Sequence, residues 1–161
     1  MKIFLASDHQ GFKLKGEILK WVTELGHEGI DLGPFAYKPD DDYPEFIKLA
    51  GREVSMDPVN TRAIILGSTG EGEAIVANRF PKVRAAVYYG GNREIVKLSR
   101  EHNDSNVLSL GARFLNDLEA RQMVELWLTT EFTHESRHVR RLAELDQVIR
   151  TPWFRKIFRR K

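Results

Sequence analysis

The chain has 161 residues, of which 42% are hydrophobic and 30% charged, and this composition is typical of a globular protein with one ordinary domain. It contains no apolar run of the ~20 residues that a transmembrane helix needs, and Asp8 comes too early for a secretion signal. The absence of cysteine excludes disulfides, thiolate metal sites and a cysteine nucleophile, and it fits the cytoplasmic location that we expect.

The net charge of +2 is unevenly distributed along the chain. Six of the 25 basic residues and none of the 23 acidic residues lie in the last twelve positions, so residues 1–149 carry a net charge of −4. A mildly acidic body argues against a nucleic-acid-binding fold. We therefore divide the chain into one domain over 1–149 and a basic C-terminal extension over 150–161.

Five short apolar runs alternate with helical patterns along the domain. The predicted strands are 2–7, 30–32, 63–66, 84–88 and 106–110. The predicted helices are 12–25, one that begins near Pro44, one that follows a glycine loop at 67–73, and then 92–101, 118–130 and 135–149. Strands that alternate with helices predict an α/β fold: a three-layer, Rossmann-like arrangement of a five-stranded parallel sheet flanked by helices on both faces.

The glycine loop at 67–73 is the most informative stretch. Its three glycines lack Cβ atoms, so backbone N–H groups can approach a ligand closely, and a glycine turn before a helix N-terminus favours a bound anion. Glu73 lies in this turn, where it either complements the helix dipole or acts chemically on what the loop binds. The loop lacks the Lys-Ser/Thr of a P-loop, and Ile75 stands where a dinucleotide fingerprint needs Gly or Ala.

Ligands of open α/β sheets bind at the carboxyl ends of the strands, and unusual residues follow several predicted strands. Asp8 and His9 follow the first strand, and Arg113 follows the fifth. His102 and Asn103 lie between a helix and a strand, and we expect them at the same edge. A purely structural role for His9, with its ring fixed by a local hydrogen bond, is the alternative.

Arg137 and Arg141 are four residues apart and therefore share a face of the last predicted helix. Two adjacent guanidinium groups can bind a phosphate bidentately, although a basic run is more often a solvated helix face. Together with the glycine loop, a carboxylate and one or two histidines, these arginines indicate proton transfer on a small phosphorylated substrate.

Five motifs occur in the order and spacing of a known family. They are Ser7-Asp8-His9-x-Gly11-Phe12-x-Leu14-Lys15, Asp42-Tyr43-Pro44, Gly70-x-Gly72-Glu73-x-Ile75-x-Ala77-Asn78-Arg79, Arg100-Glu101-His102-Asn103 and Arg137-His138-x-Arg140-Arg141. Over about residues 1–149 the chain resembles the type B ribose-5-phosphate isomerases, a family that also contains galactose- and allose-6-phosphate isomerases.

The resemblance implies an aldose–ketose isomerase of ribose 5-phosphate and ribulose 5-phosphate in the non-oxidative branch of the pentose phosphate pathway. The reaction passes through a cis-enediolate without metal or cofactor. Many members use a cysteine base directly after the strand before the glycine loop, where this chain has Gly67. Others use a glutamate at the position of Glu73, so the resemblance implies the glutamate-base subtype. Ser68 departs from the glycine that members usually have there.

The resemblance also implies a role for each site residue. Glu73 would move the proton between C2 and C1, with a pKa above the free value of ~4.3. Amides of the 70–73 loop, together with the side chain of Asn103, would hold the enediolate oxygen. His102 would catalyse the opening of the furanose ring of the sugar. The residues with an implied catalytic role are Glu73, His102, Asp8, Thr69 and Asn103, and those with an implied role in binding the sugar or its phosphate are His9, Tyr43, Gly70, Gly72, Arg113, Arg137 and Arg141.

The family's site lies between two subunits, which implies a homodimer or homotetramer. The same chemistry on allose 6-phosphate or galactose 6-phosphate is the nearest alternative. A Rossmann-type nucleotide-binding module is another, although like-charge repulsion between Glu73 and a pyrophosphate opposes it. A third alternative is a protein that binds nucleic acid through the basic extension, which would require a strongly salt-dependent affinity for nucleic acid.

The extension has no counterpart in the resemblance. Its aromatic and aliphatic residues fall on one helical face and its cations on the opposite face. We expect it to dock on a neighbouring subunit, with an anionic membrane surface, nucleic acid and disorder as the alternatives. We expect neither a membrane nor a nucleic acid to be a partner of the protein.

Overall fold

The computed structural model describes residues 1–150, with side chains described for 1–148, and the predicted docking of residues 151–161 lies outside this part. The strands are β1 (Lys2–Ser7), β2 (Glu28–Asp31), β3 (Thr61–Gly67), β4 (Ala85–Tyr88) and β5 (Val107–Gly111). The helices are α1 (Phe12–Glu24), α2 (Tyr43–Met56), α3 (Glu71–Ala77), α4 (Glu94–Glu101), α5 (Asp117–Thr129) and α6 (Ser136–Arg150). Each predicted strand and helix is present; β1 has the predicted ends, and the ends of the other elements differ from the prediction by at most three residues.

The strands form one parallel sheet in the order β2-β1-β3-β5-β4, which confirms the predicted fold class. Ser7 pairs with Leu66 and Gly67 pairs with Gly111, so the carboxyl ends of β1, β3 and β5 lie side by side. β2 lies on one side of β1 and β3 on the other, and the direction of chain progression reverses between β1 and β3. A crevice outside such a switch point is where open α/β sheets bind ligands.

Both faces of the sheet are covered, and the side chains of β3 alternate between the two cores. Ile64 and Leu66 pack on the face covered by α1, α4 and α5, around the fully buried Trp127. Ala63 and Ile65 pack on the opposite face, against α2 and α3. Burial on both sides explains why residues 63–66 of β3 are all apolar rather than alternating. Among the described residues, no helix is long and apolar enough to cross a membrane.

Candidate active site

The loop between β3 and α3 folds a carboxylate back onto the end of β3. Glu73 lies in the first turn of α3 and is only 4% exposed, whereas Glu71 in the same turn faces solvent. The carboxylate of Glu73 lies against Gly67, in the space that a Cβ at position 67 would need. Gly70 adopts φ of +81°, which favours glycine, and its carbonyl oxygen accepts a hydrogen bond from the Ser109 hydroxyl of β5 at 2.5 Å.

This environment changes the acidity of Glu73. Burial raises the pKa of its carboxyl group above the usual value and the nearby Asp8 raises it further, while the amides of Glu73 and Gly70 act in the opposite direction. A carboxylate that only complemented a helix dipole would have no need of burial. A raised pKa is the direction that proton transfer by a carboxylate needs, and the chemical role of Glu73 stays a prediction.

Asp8 and His9 follow β1 and have separate structural roles. Oδ1 of Asp8 accepts hydrogen bonds from the N–H groups of Gln10 at 2.9 Å and Gly11 at 3.2 Å, and so it shapes the turn into α1. The ring of His9 is fixed by Asp41, with 2.8 Å between Nδ1 and Oδ1. This bond joins residues 32 positions apart, so the alternative in which a local hydrogen bond fixes the ring is wrong.

Asp41 is a residue of this edge that the sequence analysis did not single out. It belongs to the loop of residues 32–42, whose prolines and three consecutive aspartates indicate only a polar loop. The sole signal in the sequence is that this loop follows β2, the neighbour of β1, and therefore ends at the same edge of the sheet as His9. Three adjacent aspartates give no means of choosing the one that turns inward.

Three further predicted residues lie around the same loop. Tyr43, the first residue of α2, covers the backbone at Gly72, where a Cβ would lie 2.9 Å from the Cζ atom of the tyrosine. Thr69 is exposed, and its hydroxyl accepts a hydrogen bond from the N–H of Glu71 at 3.3 Å. Arg113 is exposed after β5, in a turn whose Arg113 N–H donates to the carbonyl oxygen of Ser68 at 3.2 Å. The predicted residues that one chain brings to this edge are Asp8, His9, Tyr43, Thr69, Gly70, Gly72, Glu73 and Arg113.

His102 and Asn103 do not lie at this edge, and the prediction that they do is wrong. They follow α4 and precede β5, so they lie at the amino ends of the strands. The next residue, Asp104, binds the guanidinium of Arg84, which directly precedes β4, at 2.7 Å. β3 has seven residues, which places the two edges about 20 Å apart. Within one chain, His102 is therefore remote from its implied neighbours Asp8 and Thr69.

A second group of residues surrounds His102 at the amino edge. The ring of His138, on α6, stacks on the ring of His102 with 4.3 Å between centroids and 14° between planes. His138 is 3% exposed, and within residues 1–148 its Nε2 is buried without a hydrogen-bond partner. Burial lowers the pKa of His138, and His102 and the neighbouring Arg137 and Arg141 lower it further. Four predicted residues, namely His102, Asn103, Arg137 and Arg141, thus form a separate group.

The described residues contain no cluster of three or more histidine, aspartate or glutamate side chains that could hold a metal ion.

A sequence profile described as ribose/galactose isomerase matches residues 3–145 of the chain. The chain belongs to this isomerase family.

Individual members of the isomerase family match nearly the whole chain. Ribose-5-phosphate isomerase B of Mycolicibacterium paratuberculosis is 38% identical over 151 residues, which are 94% of this chain and 93% of the relative. Among solved structures, ribose-5-phosphate isomerase B of Mycoplasma genitalium with bound ribulose-5-phosphate has a TM-score of 0.88 and 32% identity, covering 92% of this chain and 96% of that one. The enzyme of Clostridium thermocellum has a TM-score of 0.86 and 37% identity, covering 93% and 98%.

Membership of the isomerase family confirms the resemblance on which the sequence analysis drew, and it sets aside a nucleotide-binding module. The match over residues 3–145 includes both groups of site residues, at the carboxyl edge and at the amino edge. The family thus accounts for the chain as far as α6 and leaves the basic extension outside the matched region.

Proposed function

We propose that this chain interconverts ribose 5-phosphate and ribulose 5-phosphate in the cytoplasm, in the non-oxidative branch of the pentose phosphate pathway, with Glu73 as the base. The observation that carries the proposal is the carboxylate of Glu73, which is buried at the switch point of the sheet and has a raised pKa. The relatives that bear the name ribose-5-phosphate isomerase B, matched over 94% of the chain, support this choice of sugar.

The reaction moves one proton and relocates one double bond. The ionised Glu73 takes the proton from C2 of the open-chain aldose, and the electrons of the C–H bond form an enediolate whose negative charge lies on O1. The protonated Glu73 then returns the proton to C1 while the O2 proton is lost and O1 is reprotonated, which gives the ketose with no net change in protons. Loop amides at Gly70 and Gly72 would stabilise the enediolate oxygen, in the way of an oxyanion site where one donor contributes roughly 3 kcal/mol.

The carboxyl edge of one chain supplies only part of this chemistry. His9 and Arg113 lie at this edge and would bind the phosphate, whereas the implied ring-opening residue His102 is about 20 Å away, well beyond the length of a pentose phosphate. Asn103, Arg137 and Arg141 lie with His102. A complete site therefore needs the amino-edge group of a second copy of the chain.

Helix α6 supports this assembly as a homodimer or a dimer of dimers. Among its described side chains only His138 is buried, while Val139, Leu145 and Val148 are 46%, 48% and 61% exposed. Apolar side chains exposed on the helix that carries the arginines are suited to docking on another subunit. A two-fold symmetric pairing would create two equivalent sites, each with the base from one subunit and His102 from the other.

The test is an isomerisation assay on ribose 5-phosphate in the presence of a chelator, with wild type, Glu73→Gln and Glu71→Gln. We expect Glu73→Gln to lower kcat by roughly 10²–10⁴-fold because it removes the base, and Glu71→Gln, on an exposed residue of the same turn, to change it less than about twofold. Turnover that survives in Glu73→Gln would show that the base is another group. A wild type that is inactive on ribose 5-phosphate but active on allose 6-phosphate or galactose 6-phosphate would overturn the choice of sugar and keep the reaction class.

A further inference from the structure

The loop between β2 and α2 places a carboxylate directly against the phosphate-binding candidate His9. Oδ1 of Asp41 lies 2.9 Å from the backbone N–H of His9 and 2.8 Å from its ring Nδ1. The Asp41 side chain is 5% exposed, and within residues 1–148 its other oxygen, Oδ2, is buried and has no hydrogen-bond partner. Among the described ion pairs, His9 is the only partner of Asp41, so the imidazole is the natural counter-charge of this buried carboxylate.

The start of the same loop is also held in place by side-chain contacts. The ammonium group of Lys15, which is 3% exposed, binds the carboxylate of Asp31 and donates to the carbonyl oxygen of Pro34 at 2.9 Å. Farther along, the ring of Tyr37 meets the ring of His9 edge-on, with 6.4 Å between centroids. These contacts hold the loop beside His9 and place Asp41 in a defined position.

The bond to Asp41 determines what the other ring nitrogen can do. When Nδ1–H donates to a carboxylate, a neutral imidazole has only an acceptor at Nε2, whereas the imidazolium has a donor there. A phosphate dianion at Nε2 needs that donor. The hydrogen bond that Nδ1–H donates to Asp41 is the largest influence on the pKa of His9 and raises it, while burial of the ring acts in the opposite direction. The acidic groups around the ring, Asp8 at the end of β1 and Asp40 and Asp41 in the loop, raise the pKa further.

We propose that Asp41 is a positioning residue for phosphate recognition, which holds the His9 ring through Nδ1 and so directs Nε2 of the same ring toward the phosphate of the substrate. This inference rests on the proposed function, because it takes a sugar phosphate as the ligand. In this arrangement Asp41 acts through His9 rather than by its own contact with the ligand. Its neighbours Asp40 and Asp42 are exposed and, among the described hydrogen bonds, their side chains have no bond to His9.

The three adjacent aspartates provide matched controls, since each substitution to asparagine removes one charge from the same loop. We expect Asp41→Asn to raise KM for ribose 5-phosphate about tenfold at pH 8, with kcat changed less than about twofold, because a charge-assisted bond is lost in binding and not in proton transfer. Asp40→Asn and Asp42→Asn should leave KM within about twofold of wild type. The competitive inhibition constant of inorganic phosphate should rise with KM in Asp41→Asn alone.

The pH dependence separates positioning from general damage to the fold. Above about pH 7 the substrate phosphate is fully ionised, so a rise of KM with pH reports the loss of the proton on His9. That rise should begin at a lower pH in Asp41→Asn than in wild type, and His9→Asn should abolish it. Because the two residues act as a pair, Asp41→Asn combined with His9→Asn should raise KM no more than His9→Asn alone.

A histidine NMR titration keeps this inference distinct from the proposed function. If Asp41→Asn lowers the pKa of His9 and weakens inorganic phosphate binding, the role of Asp41 stands even when wild type proves inactive on ribose 5-phosphate. If wild type is active but Asp41→Asn behaves like Asp40→Asn in KM, phosphate inhibition and pH profile, the inference is overturned and the isomerase proposal remains.

Discussion

The carboxylate of Glu73 lies against Gly67, in the space that a side chain at position 67 would need. A Cβ at position 67 would overlap the carboxylate, and Gly67 adopts an ordinary strand conformation that alanine tolerates. The glycine is thus required by the side chain it accommodates and not by its own backbone. The resemblance places the cysteine base of other members at position 67, so the proposed glutamate base would occupy the space of that cysteine side chain.

We expect Gly67→Ala to lower kcat on ribose 5-phosphate by roughly 10²-fold, because the new methyl group displaces the carboxylate from its position for proton transfer. Gly16→Ala is the control: its Cβ would meet no atom within 4 Å, so activity should be unchanged and the helix stabilised by about 1 kcal/mol. Steady-state kinetics and thermal unfolding of both variants provide the measurement. Full activity of Gly67→Ala would contradict the shared-space interpretation.

The burial of Glu73 predicts a pH-dependent stability. A carboxyl group whose pKa is raised by folding stabilises the folded state below its unfolded pKa, and this contribution is lost as the pH rises through the folded pKa. Glu73→Gln resembles the protonated form, so it should raise Tm at pH 8 by the order of 2–4 °C, the shift that about 1 kcal/mol gives in a chain of this size. The difference from wild type should vanish below about pH 4, where Glu73 is itself protonated.

Thermal unfolding of wild type, Glu73→Gln and Glu71→Gln across this pH range tests the argument. The exposed Glu71 has no burial to relieve, so Glu71→Gln should track wild type at each pH. A Tm of Glu73→Gln below that of wild type at pH 8 would mean that the ionised carboxylate contributes net stabilising contacts in the folded protein.

The separation of Glu73 and His102 on opposite edges of the sheet predicts complementation between inactive variants. Glu73→Gln and His102→Asn should each be nearly inactive alone. If the proteins are mixed, dissociated and reassembled, half of the dimers contain one of each, and one of their two sites carries both native residues. Activity should then recover to about a quarter of wild type.

The complementation experiment has a clear control. A mixture of Glu73→Gln with Gly67→Ala, both on the carboxyl edge, should recover nothing, because both changes affect the same half of each site. Mixtures of Glu73→Gln and His102→Asn that remain inactive after proven subunit exchange would show that each site is built from a single chain.

The stacked rings of His102 and His138 predict a role for aromatic contact at position 138. His138→Ala removes the ring on which His102 lies, at 4.3 Å between centroids, and leaves a cavity at a position that is 3% exposed. We expect kcat on ribose 5-phosphate to fall about tenfold as His102 loses its fixed orientation. His138→Phe keeps the stack and should retain most of the activity. Equal losses in the two variants would indicate that the imidazole of His138, and not its ring surface, is required.

Much of this protein was predictable because the information is local in the chain. Apolar runs bounded by polar loops determined the order of strands and helices, and parallel strands place their carboxyl ends at one edge, which brought Asp8, the glycine loop and Arg113 together. The edge on which His102 lies could also have been predicted from the sequence, since a residue that follows a helix and precedes a parallel strand must lie at the amino end of that strand.

The sequence by itself thus determined the α/β class, the order of the elements, the family and the glutamate in the glycine loop. Only the tertiary structure decided that β5 lies between β3 and β4, that Glu73 occupies the space above Gly67, and that Asp41 binds His9. The reason is physical: helical and strand periodicity arises between near neighbours, whereas strand order, burial of a carboxylate and a bond across 32 residues depend on how distant segments pack together.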